Sequence, residues 1–432
     1  MDQVTFFWHR RDLRREDNHG LFRALSHHKN VLPLFIFDTN ILEKLPADDA
    51  RVGFIHKELE RLKQEYQKLG GDLLVRIGKP EEVWHDLMSQ YHIEAVYTNR
   101  DYEPYAQERD KRIFNLLQSQ NIPFKGFKDH VIFEKSEVIK ADGDPYSVFT
   151  PFGRRWRERL NDHPAELYDS ASFTDGFYQT SSDLPSLKTV GFEPSDISIP
   201  ERTVSDKILD AYKSKRNFPG TEGTSRLGIH LRFGTISIRS LLNRSAPHSS
   251  TYVNELIWRD FYQMVLFHFP HTVDKAFRPA YDNIEWRNDP DEFEAWCNGQ
   301  TGYPIIDAGL RELNTTGYMH NRVRMIVASF LTKHLLIDWR WGERYFAEKL
   351  LDFELASNVG GWQWAAGSGT DAAPYFRVFN PTLQMDKFDK QRTYIQNWVP
   401  EFKSDKYPDP IVEHKIARER ALATYKAGLN KT

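Results

Sequence analysis

The chain has 432 residues, 40% of them hydrophobic and 28% charged, enough for two or three domains with sizeable cores, and its net charge of −3 confines any binding of a polyanion to a local patch. One cysteine, Cys297, excludes intrachain disulfides and multi-cysteine metal sites, and the sixteen histidines show no His-Glu-x-x-His spacing, so no metal is expected. No run of about 18 apolar residues and no basic-apolar leader occur, so the expectation is a cytosolic protein without a membrane span.

The first third alternates strands and helices. Val4 to Trp8, Val31 to Phe37, Asp72 to Ile77 and Ala95 to Thr98 are apolar runs of strand length without polar alternation, as strands buried on both faces require. Between them Ile55, Leu59, Leu62, Tyr66 and Leu69 recur at helical spacing up to Gly70-Gly71, and Pro80 with Glu81-Glu82 opens another helix. The pattern predicts a parallel α/β domain of nucleotide-type topology over 1–130, but no Gly-x-Gly-x-x-Gly follows any strand, so nicotinamide binding is unsupported. Residues 131–200 read as an interdomain connector, with Ser, Thr, Asp, Pro and Gly and no period from about Ser170 onward. From 201 to 425 the chain turns helical: Leu310 to Leu313, Arg322 to Leu336 and Arg344 to Leu351 carry three-and-four spacing, and no strand is expected.

Four segments of this half carry chemistry. Arg216-Asn217-Phe218-Pro219, then Thr224-Ser225-Arg226-Leu227, place hydroxyls and arginine before a helix, which suits a phosphate although a simple N-cap is the commoner reading. In Asn254 to Tyr262, Glu255, Trp258 and Arg259 share a helix face; a solvated ion-paired face is the bland alternative, which an indole fits poorly. In Gly317 to Met325, Asn321, Arg324 and Met325 share a face, while Arg322 points elsewhere and could reach an outside phosphate. Last, Asp352-Phe353-Glu354 leads into Asn358-Val359-Gly360-Gly361-Trp362-Gln363-Trp364, then Ala365-Ala366-Gly367-Ser368-Gly369. Two tryptophans among glycines and alanines suit the close approach of a flat ligand better than an ordinary core.

These segments resemble the photolyase and cryptochrome family, as do Trp8-His9-Arg10-Arg11-Asp12-Leu13-Arg14 with Asp17-Asn18, and Thr301-Gly302-Tyr303-Pro304-Ile305-Ile306-Asp307-Ala308. The resemblance covers nearly the whole chain and implies an α/β Rossmann-like N-terminal antenna domain and an all-α C-terminal domain that binds FAD. It implies that Tyr212, Thr224, Ser225, Arg226 and Leu227 contact FAD phosphate and ribose, with Gly228 where many relatives have Ser. It assigns Asn321, Arg324, Asp352, Phe353 and Glu354 to the flavin site, with Arg324 and Asp352 as an ion pair, and Asn358 opposite flavin N5, where plant-type photoreceptors carry Asp and insect-type ones Cys. Trp362, Trp339 and Trp286 match a three-tryptophan chain that reduces the flavin in light.

The same resemblance is nearest to class I repair enzymes for cyclobutane pyrimidine dimers. Glu255, Trp258, Asn321, Met325 and Trp364 match their lesion pocket; relatives specific for the (6-4) lesion have Gln and paired His there, which this chain lacks. It implies that Arg216, Arg259, Arg322 and Arg377 hold DNA phosphates, with Arg154 or Arg155 adding to them. The expected activity is light-driven electron transfer from reduced FAD to a flipped-out dimer by a monomer; the competing reading is a blue-light sensor of the cryptochrome type without repair. A second, antenna chromophore (folate, deazaflavin or flavin) is compatible with the scaffold, and Tyr102-Glu103 resembles the place where some relatives hold a folate.

Overall fold

The computed structural model describes residues Gln3–Lys431, which divide into two compact units. The first takes the residues up to Glu134, Glu158–Arg202 and Leu227–Pro247; the second takes Lys135–Arg157, Thr203–Arg226 and the chain from His248 on.

The first unit is built on a five-stranded parallel sheet in the order β3-β2-β1-β4-β5, with β1 Gln3–His9, β2 Val31–Asp38, β3 Leu74–Gly78, β4 His92–Asn99 and β5 Phe124–Phe127. Four of these strands coincide with the predicted ones. β5, Phe-Lys-Gly-Phe, is short, only half-buried and contains a glycine, so its sequence carries no strand signal. Period-two alternation divides the apolar residues between the faces: Phe7, Val31, Phe35 and Phe37 pack on one side, Phe6, Trp8, Leu32, Leu34 and Ile36 on the other. Helices Ala50–Gln67 and Pro80–Gln90 stand where their spacing and caps predict.

The expected boundaries need correction. The 131–200 connector is not a single linker: it contains the helix Phe149–Asp162, and its parts belong to different units. Residues 227–247, expected within the helical domain of 201–425, belong to the first unit, where Arg239 pairs with Asp17 at 3.0 Å and with Asp129 at 2.8 Å. Such buried pairing between residues far apart in sequence leaves no local signature.

The second unit is helical, and among its described residues there is no strand. Its main core gathers Ile306, Leu310, Val323, Val327, Trp339, Phe346 and Trp362 from the helices Pro304–Thr316, Asn321–Ser329, Trp339–Lys349 and Leu355–Ala366. Two glycines bring helices together. A Cβ on Gly360 would lie 2.3 Å from the Tyr262 ring of the helix Ser250–His268, and one on Gly342 would lie 2.1 Å from the Trp362 indole. No described helix is long and apolar enough to cross a membrane.

Candidate functional site

The helices of the second unit enclose a cavity of about 390 Å³. Ser250–His268 contributes Glu255, Trp258 and Tyr262; Asn321–Ser329 contributes Asn321, Arg322, Arg324, Met325 and Ala328. Asp352, Phe353 and Glu354 and the following helix add Ser357, Asn358, Gly361, Trp362 and Trp364. The volume is that of a small-molecule site, and the lining mixes aromatic and aliphatic walls with charged and amide side chains. The three-and-four spacing explains the convergence, since each helix turns one face inward. Of the glycines in the 358–369 stretch, Gly361 faces this space: a Cβ there would meet nothing within 4 Å. Gly360 serves helix packing instead, and Gly367, at φ 91°, caps its helix.

The polar groups are held in place. Arg324 grips both oxygens of Asp352, at 2.9 and 3.1 Å, and its Nε donates to the Met319 carbonyl at 2.7 Å. Asn358 donates through Nδ2 to the Glu343 carbonyl at 3.0 Å and to the Glu343 carboxyl at 2.9 Å, which leaves Oδ1 without either bond. Burial pushes the Glu343 pKa upward, against the hydrogen bond from Asn358. Glu255 is ion-paired with Arg216; burial raises its pKa above the usual 4.5, with the Arg216 charge opposing.

The hydroxyl residues stand beside this cavity without lining it. Thr224 Oγ1 lies 3.2 Å from the Tyr318 hydroxyl, Tyr252 donates to Ser225 at 3.0 Å, and the Arg226 guanidinium covers the Tyr318 ring at 4.7 Å. Tyr212 meets Tyr252 edge-on at 5.0 Å. Arg226 takes φ 52°, the left-handed backbone that turns the chain at this point. Leu227 is buried in the first unit and is not grouped with these residues.

The expected set of phosphate-binding arginines divides. Arg377 is exposed, with its guanidinium over Phe379 at 5.4 Å. Arg216 is drawn to Glu255 in the cavity, and Arg322, expected to point away, lines the same cavity and donates to Asn217 at 2.7 Å. Arg259 is not a surface cation: it pairs with buried Glu354 at 2.9 Å, with 10% and 7% of the two side chains exposed. Arg154 and Arg155 are exposed on Phe149–Asp162. In the first unit Tyr102 is buried and bonded to Glu134 at 2.7 Å, while Glu103 pairs with Arg11 and Arg232, so this segment has internal partners.

Trp362 and Trp339 are buried in one core, and half-buried Trp286 packs against it. The ring neighbours of Trp362 are Phe346 at 5.0 Å and Trp296 at 6.2 Å. Trp362 touches the Trp339–Lys349 helix at Gly342, and the chain next to Trp286 is tied to the residues before Trp339, Arg287 N–H donating to Leu336 at 2.7 Å and Asp338 N–H to Asn288 at 2.8 Å.

Sequence reasoning missed Tyr262, Glu343, Tyr318 and Phe149. Tyr262 follows Trp258 by one helical turn and was within reach of the face argument. Glu343 and Phe149 meet Asn358 and Trp258 only through the tertiary fold.

The DNA photolyase family matches residues 5–169, and the FAD binding domain of DNA photolyase matches residues 252–405. The deoxyribodipyrimidine photo-lyase of Halobacterium salinarum is 38% identical, with 98% of each chain covered. A bacterial class III photolyase from Agrobacterium tumefaciens superposes with a TM-score of 0.88 at 35% identity, over 100% of this chain and 98% of that one. An archaeal photolyase from Sulfolobus tokodaii with two FAD molecules gives 0.87 at 36% identity, over 99% of this chain and 100% of that one.

Proposed function

The chain belongs to the photolyase and cryptochrome family, and on that premise we propose that it is a deoxyribodipyrimidine photo-lyase of class I type that repairs cyclobutane pyrimidine dimers in DNA with light. One observation carries the reading: a single cavity is lined both by Arg324, Asp352 and Asn358 and by Glu255, Trp258, Asn321, Met325 and Trp364. Cofactor and lesion can therefore lie side by side in one space, as direct electron transfer requires.

FAD is the family's cofactor, and the residues fit it. Gly361 leaves the cavity open where any side chain would intrude, and Arg324 with Asp352 offers a fixed pair of donor and acceptor for a heterocycle. Because Asn358 donates its amide protons to Glu343, it offers an acceptor oxygen, which suits the N5–H of reduced flavin and disfavours a bare N5. When bound in its reduced form, FAD would supply light-driven one-electron chemistry with no net redox change, and Arg324, Asp352 and Asn358 would hold it.

The chain does the rest by placement. Trp258 and Trp364 present apolar rings to a flipped dimer, while Glu255 and Asn321 offer hydrogen bonds to pyrimidine carbonyls and imides. Burial raises the Glu255 pKa against the opposing Arg216 charge, which eases proton donation from Glu255 to a lesion that gains negative charge. Arg377 and Arg322 steady the DNA backbone, and Trp362, Trp339 and Trp286 pass electrons inward from a reductant in solution, such as a thiol, to restore the reduced state. The family scaffold leaves room for a second chromophore, and the protein is read as a cytosolic monomer.

The deciding experiment illuminates the FAD-loaded protein with a thymine-dimer oligonucleotide under blue light and follows recovery of thymine absorbance. Recovery that stops in the dark and weakens in Glu255→Ala, with FAD retained, is expected. Flavin photoreduction without recovery would overturn repair in favour of light sensing.

A further inference from the structure

We propose that Phe149 is a positioning residue for the lesion: stacked behind Trp258, it fixes the plane of the indole against which the dimer lies and thereby sets the discrimination between damaged and intact DNA. The inference rests on the assignment of this cavity as the dimer pocket.

The two rings lie 3.7 Å apart and 3° from parallel, a full face-to-face overlap. Phe149 also meets Phe261 edge-on at 5.8 Å, and Trp258 has Tyr262 against it at 5.5 Å. One face of the indole is thus covered by a buried ring, and Trp258 presents what remains to the cavity.

Phe149 is itself anchored from both directions. Its backbone N–H donates to the Asp371 carboxylate, and the Asp371 N–H returns to the Ser147 carbonyl at 3.2 Å. Downstream on the same helix Trp156 donates to Asp260 at 2.9 Å and Arg157 to Asn254 at 3.0 Å, locking this segment to the helix that carries Glu255 and Trp258. The indole therefore meets a ligand in a settled orientation, and the ordering of its side chain does not weigh on binding. An apolar stack recognises no particular base, so Phe149 governs how firmly the flat group is received, not which base is read.

The test compares Phe149→Leu and Phe149→Met with Trp258→Ala. Affinities for a duplex with one thymine dimer and for the same duplex undamaged are measured beside FAD content and flavin absorbance. Both Phe149 variants should keep FAD and their affinity for intact DNA, lose about three- to tenfold in affinity for the damaged duplex, and recover with Phe149→Tyr. If they keep the damaged-to-intact ratio while Trp258→Ala loses it, the positioning role is wrong and the pocket stands. Should Trp258→Ala also keep the ratio, the pocket assignment fails and the proposal with it. Equal weakening for both duplexes, or loss of FAD in both Phe149 variants, would make Phe149 a general structural residue and overturn the proposal.

Discussion

Gly360 and Gly361 are neighbours on one helix with opposite surroundings, so alanine at each should give opposite results. On Gly361 a methyl meets no atom of the described residues within 4 Å, and the exchange replaces the poorest ordinary helix former by the best, which stabilises by about 1 kcal/mol. The apoprotein should therefore melt about 2–4 °C higher. The same methyl intrudes on a flat ligand in the cavity, and overpacking at a close contact costs about 1–3 kcal/mol, so FAD should bind roughly 5- to 150-fold more weakly. On Gly360 the methyl would lie 2.3 Å from Tyr262, and on Gly342 2.1 Å from Trp362, so there the packing penalty opposes the propensity gain and both apoproteins should melt lower. Differential scanning fluorimetry of the apoproteins and FAD-to-protein ratios after dialysis read the two effects separately. Full FAD retention in Gly361→Ala would refute the placement of the flavin against this helix face.

Other outcomes follow from charges and rings. Damaged-DNA affinity should fall as pH rises through the elevated pKa of Glu255, and Glu255→Gln should lack that limb; an identical limb in the variant would assign it to another group. Burial, with Arg324, Arg322, Arg226 and Arg216 nearby, pushes His320 from 6.5 down to about 4. The unfolded chain takes up that proton first, so stability falls as pH drops from 6.5 towards 4, by about 1.4 kcal/mol per pH unit, and His320→Asn should show urea unfolding about 2 kcal/mol less sensitive between pH 6.5 and 5. Arg377→Ala should weaken binding to all DNA and reduce the salt slope by about 1, whereas Arg259→Ala should break its buried pair with Glu354 and destabilise the fold, with no change in slope in the residual folded protein. Trp286→Phe should stop net flavin photoreduction while Trp296→Phe leaves it intact, as transient absorption will show.

The sheet was legible because burial on both faces imposes continuous apolar runs, and the cavity-lining face of Ser250–His268 was legible because helical spacing brings Glu255 and Trp258 together. Charge was the poorest guide. An arginine in sequence reads as a surface cation, yet Arg216, Arg259 and Arg239 each have a carboxylate partner that is far away along the chain. The connector misled for a related reason: irregular composition between residues 131 and 200 conceals that Phe149 is bound to Trp258 by a ring stack no local pattern encodes. Asn358 was found, but its orientation was not, since that depends on Glu343 across a helix contact.

Ring proximity alone would send an electron vacancy on Trp362 to Trp296, its neighbour at 6.2 Å. Proton chemistry argues otherwise. An oxidised indole becomes a strong acid at Nε1 and is trapped when that proton leaves. Trp296 is fully buried, and among the described residues its Nε1 has no hydrogen-bond partner, so a vacancy there finds no group to take its proton, and it returns. Trp286 is half-buried and borders solvent, and the chain contacts linking it to Trp339 lead on to Trp362 through Gly342. The vacancy is stabilised as it moves outward, where water can solvate the charge and accept the proton. On the proposed route, direction is set by the single step from Trp362 and Trp339, both buried, to half-buried Trp286, and the nearer ring is a dead end because no described group accepts its proton.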